Sequence, residues 1–225
     1  MLDTVVFVDE KVIDFFNNEM VLAKFNAEVD TLLARSYHVS AFPTMVMVDK
    51  DGNEIDRVVG YLDSEKLIQK LRDYTRGIGT LDDLLDQARV TADSLRKLGF
   101  EIADKYKYRG GNDEAGKWFE KIIQLGDPVD SLSGEARMAI ADMYRRDKDY
   151  MMALVAFASI MQDFEGKPFA MDAEIWTAIV YRMRGDTATA IGAFEDYIKH
   201  FPESEDVEYA QKQIDRLKNP PEKKP

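Results

Sequence analysis

Few residues in this chain are equipped for chemistry. It has 225 residues, no cysteine and two histidines, His38 and His200. Thiolate nucleophiles, disulfides, iron–sulfur clusters and cysteine-based zinc sites therefore have no ligands here. The two histidines are far apart in sequence, and neither has a second ligand at a useful spacing, so no metal and no cofactor is expected. The run Asp49-Lys50-Asp51-Gly52-Asn53-Glu54 has the acids of a calcium loop without its spacing or its closing glutamate, and reads as a plain hairpin turn. Any two of 42 acids could be named an acid and a base, and none is singled out by an apolar setting visible in the sequence. Nucleotide-binding glycine loops, the P-loop, the hydrolase elbow and the zinc-protease motif are all missing. Trp118 and Trp176 fall inside helical patterns and read as packing aromatics.

Positioning any functional group falls to a scaffold whose length suits two domains, since domains cluster near about 100 to 150 residues. Hydrophobic residues make up 45% of the chain and charged residues 32%, as in a globular protein with a sizeable core. Forty-two acids against thirty bases leave a formal charge of −12. Residues 1–78 hold 14 acids and 9 bases, net −5, and the remainder 28 and 21, net −7. Negative charge spread over both parts argues against nucleic acid and anionic membrane surfaces as partners. No apolar run is long enough to insert in a membrane, and residues 1–33 lack the pattern of a signal peptide. As written, the chain reads as cytoplasmic.

The pattern changes near residue 76. Before it, helix and strand signals alternate; from about residue 80 to 218, helical spacing dominates. In the first part, Asp9 caps a predicted helix to about residue 18, residues 21–25 are a strand candidate, and residues 31–37 form a second helix. The apolar run 45–48 reads as a central strand covered on both faces. Asp51-Gly52 turns the chain into a return strand over 55–61, and Asp63 or Ser64 caps a last helix. Gly77 and Gly79 with Thr80 mark a tight linker. The expected divisions are 1–76, a linker and connecting helix over 77–98, a helical array over 99–218, and a disordered tail over 219–225.

The segment from Tyr37-His38-Val39-Ser40-Ala41-Phe42-Pro43-Thr44 through Asp51-Gly52 to Val58-Val59-Gly60-Tyr61 resembles thioredoxin-like domains. The resemblance implies that Pro43 is cis and that Phe42, Pro43 and Thr44 line a substrate groove. It also implies a central strand and a Cys-x-x-Cys pair just ahead of the first helix, and neither is present. Without that pair the chain cannot attack a disulfide. The run 45–48 then lacks one strand neighbour, leaving an open edge beside apolar side chains. Three fillers are expected: residues 21–25 shifted inward, a strand or helix from a second chain across a two-fold axis, or residues upstream of Met1.

The second part repeats. Ala115-x-x-x-Phe119, Ala153-x-x-x-Phe157 and Ala190-x-x-x-Phe194 each follow a tyrosine nine residues before the alanine, at Tyr106, Tyr144 and Tyr181. The pattern resembles the tetratricopeptide repeat (TPR), with Gly110 and Gly185 at the turns and Lys148 where the middle turn glycine belongs. Residues 206–218 read as a capping helix and 81–98 as its counterpart in front. The resemblance implies a concave peptide groove with a cation column of Lys107, Arg145 and Arg182 over an apolar floor of Phe100, Met138 and Ile175. Asp104 and Asp142, three residues before Lys107 and Arg145, offer those two cations a simpler role as surface helix pairs.

The fold expected is therefore an α/β thioredoxin-like domain lacking its first strand, followed by an all-α TPR array. The function expected is redox-inactive binding of a protein or peptide, an acidic one if the cation column is used. The alternatives are a fragment of a thiol–disulfide oxidoreductase whose cysteine pair lies upstream of Met1, periplasmic if a signal peptide lies there too, and a scaffold that forms a homodimer through the open sheet edge.

Overall fold

The structure, a computed structural model, describes residues 2–90 and 95–220. The expected disorder of the tail thus falls largely outside the described residues. Two compact units divide between Trp118 and Phe119.

The first unit opens with a π-type turn, Leu2–Val6, closed by the Phe7 N–H donating to the Leu2 carbonyl at 2.9 Å. Helix α1 spans Glu10–Glu19, and the Asp9 carboxylate accepts from the Lys11 N–H at its start, as expected for an N-cap. Helix α2 is Thr31–Ser36. Strand β1, Thr44–Val48, and strand β2, Glu54–Val59, form a two-stranded antiparallel sheet with Thr44 opposite Val59 and Val46 opposite Arg57. Asp49 shapes the turn between them, accepting from the N–H groups of Asp51 and Asn53 and from the Asn53 side chain. Helix α3, Ser64–Thr75, is capped by Asp63, which accepts from the Lys66 N–H. Val6, Val12, Phe15, Val58, Leu67, Leu71 and Tyr74 make this unit's core, with Met45 and Met47 packed against it.

Two expectations are corrected here. Residues 21–25 form no strand: the segment is irregular and exposed, Val21 at 97%. A strand exists only through a ladder partner, and among the described residues β1 and β2 pair only with each other. The run 45–48 is half-buried, with Val48 exposed, instead of covered on both faces. With one neighbour in place of two, its outer edge stays open.

Helix α4, Leu81–Val90, and helix α5, Leu95–Tyr108, pack together. Residues 95–98, expected at the end of a connecting helix, thus open α5, while residues 91–94 lie outside the described residues. Helix α6, Asn112–Gln124, crosses the division between the units.

The second unit continues with α7 (Ser131–Arg146), α8 (Tyr150–Asp163), α9 (Pro168–Arg184), α10 (Thr187–His200) and α11 (Val207–Lys218). Each packs on its sequence neighbour, as in a stack of helical hairpins. The repeat signature is the packing: Ala115, Ala153 and Ala190 are fully buried, as are Phe119, Phe157 and Phe194. Small alanines let paired helices approach while the phenylalanines fill the space beyond. Gly134 on α7 serves the same end, because a Cβ there would meet the Phe169 ring at 2.4 Å. The turn positions Gly110, Lys148 and Gly185 all take positive φ, at 81°, 63° and 85°. Helix α11 buries Ala210 and Ile214 against Ile175, Ile179, Phe194 and Tyr197, closing the array as a capping helix.

Candidate functional site

In the first unit, the Phe42–Pro43 peptide is cis. The Pro43 carbonyl accepts from the Gly60 N–H at 2.8 Å, and the Thr44 hydroxyl donates to the Ala41 carbonyl at 2.7 Å. These bonds fix the loop where it enters β1, and Phe42 is 70% exposed. Leu22, Phe25, Val29 and Leu32 are exposed as well. The expected groove residues are therefore together, but the chain has no cysteine to stand beside them.

The cation column is engaged. The Lys107 ammonium pairs with Asp104 and lies 5.1 Å from the Tyr108 ring centre. Arg145 Nε donates to Asp142 at 2.8 Å, and the guanidinium covers the Trp176 ring at 4.8 Å. Arg182 has no acid at helical spacing, and its Nη1 donates instead to the Oε1 of Gln213, a buried residue of α11, at 2.5 Å. No acidic group lies within ion-pair distance of Arg182 among the described residues. Of the apolar floor, Phe100 and Met138 are half-buried, while Ile175 is 6% exposed and belongs to the core. Trp176 and Gln213 each lie 31 residues from the arginine they meet and on another helix, so no spacing rule could name them.

The histidines have structural neighbours. A Cβ on Gly110 would meet the His38 ring at 2.8 Å, so the ring sits directly against that turn. His200 Nδ1 lies 2.7 Å from Glu174 Oε1. The Asp49 carboxylate, held below its ordinary pKa first by the Asn53 side chain, is occupied by the hairpin's own donors.

Sequence reading missed a buried charge cluster. Asp56 on β2 is fully buried; its Oδ1 accepts from the Arg57 N–H at 2.7 Å and from Lys105 at 2.8 Å, and lies 3.1 Å from Arg109 Nη2. Its Oδ2 accepts from the Leu81 N–H, the start of α4, at 2.8 Å. Glu54 pairs with both Arg57 and Arg109, and Arg57 donates to the carbonyls of Tyr37 and Tyr108. Burial pushes the Lys105 ammonium below its ordinary pKa against the pull of Asp56, and burial raises the Tyr74 phenol whose oxygen it touches. Each carboxylate is matched by two cations, so this cluster ties β2 to α4 and α5. Alternation along β2 hints at one face carrying Glu54 and Asp56, but Leu81, Lys105 and Arg109, which join them to the helices, lie 25 to 55 residues downstream.

Taken together, these features define a two-stranded α/β piece built around a cis-proline turn, joined to an array of helical hairpins. Residues 3–75 match the family model of a thioredoxin-like domain, and residues 172–204 match that of a tetratricopeptide repeat. A curated relative, thioredoxin of Chlamydia caviae, is 34% identical over 58 residues, 26% of this chain and 56% of the relative. The chain thus spans about half the length of that relative. Among solved structures, TPR-like repeats of a Podosopora anserina kinesin light chain superpose with a TM-score of 0.50 at 13% identity, covering 85% of this chain and 84% of theirs. At that identity the likeness concerns fold alone, and the fold is a thioredoxin-like N-terminal segment followed by a TPR-like helical array. No described helix is long and apolar enough to cross a membrane.

Proposed function

We propose that the chain is a protein-interaction module whose repeats take an extended acidic peptide, with Arg182 as the anchoring cation and Arg145 one repeat before it in the same pattern. One observation carries the reading. Arg182 is held by a neutral, buried partner, Gln213, so its charge is directed without being cancelled. A guanidinium oriented in this way suits a carboxylate, which it can grip with two parallel hydrogen bonds. Met138 would supply an apolar part of the surface. With no cysteine in the chain, thiol–disulfide exchange is not its reaction as it stands. The oxidoreductase alternative rests on the thioredoxin-like match and on the cis turn at Pro43.

The test is fluorescence anisotropy with a labelled hepta-glutamate peptide. Binding should weaken as salt is raised, and Arg182→Gln should reduce affinity about tenfold, the scale of one charge-assisted hydrogen bond, without lowering the melting temperature by more than a few degrees. Absence of binding, or binding that ignores both salt and Arg182→Gln, would overturn the reading.

A second reading, favoured by the open edge of β1, is a dimeric scaffold in which Thr44–Val48 pairs with the same strand of another copy. The strand is uncharged and Val48 is exposed, so such pairing meets no electrostatic obstacle.

A further inference from the structure

With no cysteine in the chain, oxidation at sulfur falls to its 11 methionines. Among the described residues three of these are exposed, Met151 at 62%, Met152 at 42% and Met183 at 39%. Exposure alone ranks Met183 last of the three. Its surroundings set it apart, because Arg145, in the last turn of α7, brings Nη1 to 3.6 Å from the Met183 sulfur. That nitrogen is held in place: Nε and Nη2 of the same guanidinium both donate to Asp142, and the group lies over the Trp176 ring. Met151 has only the exposed Arg184 at 3.9 Å from its sulfur, and Met152 has no guanidinium there among the described residues.

We propose that Met183 is a reversible oxidation site, with hydrogen peroxide as the oxidant, and that Arg145 governs both its reactivity and the effect of its sulfoxide. In this step a sulfur lone pair attacks one peroxide oxygen. The O–O bond breaks as the S–O bond forms, and the sulfur gives up two electrons. The other oxygen departs as hydroxide and leaves as water once it takes the proton of the transferred oxygen. Arg145 stays charged throughout and stands where it can donate to the departing oxygen, so the negative charge developing there meets a fixed donor. The second lone pair of the sulfur remains free for the attack.

A thioether sulfur is a weak acceptor, whereas the oxygen of a sulfoxide is polar and accepts strongly. The product therefore engages Nη1, the one nitrogen of Arg145 that Asp142 does not take. A carboxylate arriving from a peptide then finds that donor occupied. This consequence rests on the peptide reading proposed above, while the oxidation itself does not. Two electrons from a dithiol, which becomes a disulfide, remove the oxygen as water and restore the weak contact.

Peptide mapping by mass spectrometry of the full chain during treatment with dilute hydrogen peroxide tests the proposal, with Met152 as the reference inside the same molecule. Met183 sulfoxide should form several-fold faster than Met152 sulfoxide. Arg145→Gln should slow Met183 to the rate of Met152 and leave Met152 unchanged; Arg146 still pairs with Asp142 in that variant, and a cooperative circular dichroism melt checks that it folds. Arg145→Lys, which keeps the charge without the planar fork, should fall between the two. After oxidation the hepta-glutamate peptide should bind several-fold more weakly, and methionine sulfoxide reductases acting on both epimers should restore it. Met183→Leu should bind like the wild type and lose this sensitivity. Met183 oxidising no faster than Met152, or at a rate indifferent to Arg145→Gln, overturns the proposal, and so does an affinity that oxidation leaves unchanged. If the reduced protein does not bind the peptide at all, the interaction reading falls, and the two oxidation rates alone decide this one.

Discussion

Asp172, near the start of α9, pays for its surroundings. Its carboxyl is held above the ordinary range, first by burial and then by the negative charge of Asp206. A carboxyl whose pKa is higher folded than unfolded binds more protons in the folded state, so its contribution to stability is most favourable below the unfolded pKa of about 4 and declines as pH rises through the folded value. At neutral pH the ionised group is a net cost. Asp172→Asn should therefore raise the melting temperature at pH 7 by an amount worth less than about 1 kcal/mol, since the site is partly solvated. The gain should vanish at pH 3.5. Thermal melts at the two pH values check the sign, and an unchanged or lowered melting temperature at pH 7 refutes the assignment.

Within the helical array, turn geometry shows where the repeat strains its own residues. Gly110, Lys148 and Gly185 occupy equivalent positions between paired helices, and all three are left-handed. Glycine adopts that conformation freely, whereas a residue with a Cβ pays roughly 1 kcal/mol or more. Lys148→Gly should then stabilise the second unit by about 0.5 to 1 kcal/mol, read as a higher urea midpoint with an unchanged slope. The opposite change at Gly110 is more severe, because a Cβ there would strike the His38 ring in addition to the strained backbone. Gly110→Ala should cost at least about 1 kcal/mol on backbone strain alone.

At the scale of the whole molecule, the first unit is held together across the linker by the charges around Asp56. They join β2 to the Leu81 amide at the start of α4 and to Lys105 and Arg109 beyond it. Gly77, Gly79 and Thr80, which in sequence look like a hinge, are therefore anchored, and Thr80 itself is buried. Removing one partner of a buried ion network leaves the others desolvated and unpaired, at about 3 to 5 kcal/mol. Asp56→Ala should lower the stability of the first unit by that order while hydrogen exchange in α8 to α10 keeps its protection. Loss of protection throughout would mean that the two units unfold as one.

The sequence alone determined those features that depend on near neighbours and on period. The caps at Asp9 and Asp63, the Asp51-Gly52 turn and the Tyr–Ala–Phe spacing of the repeats each act within a few residues, so their residue types carry their conformation. The likeness to thioredoxin-like domains from Tyr37 to Tyr61 was legible for the same reason. Tertiary structure decided whatever needed a distant partner. Residues 21–25 have the composition of a strand but no strand beside which to form one. Arg182 has no acid at helical spacing and finds Gln213 on the capping helix, and Asp56 finds Leu81 and Lys105. A local pattern records what a segment can become, while pairing, burial and charge compensation are settled by what the fold brings against it.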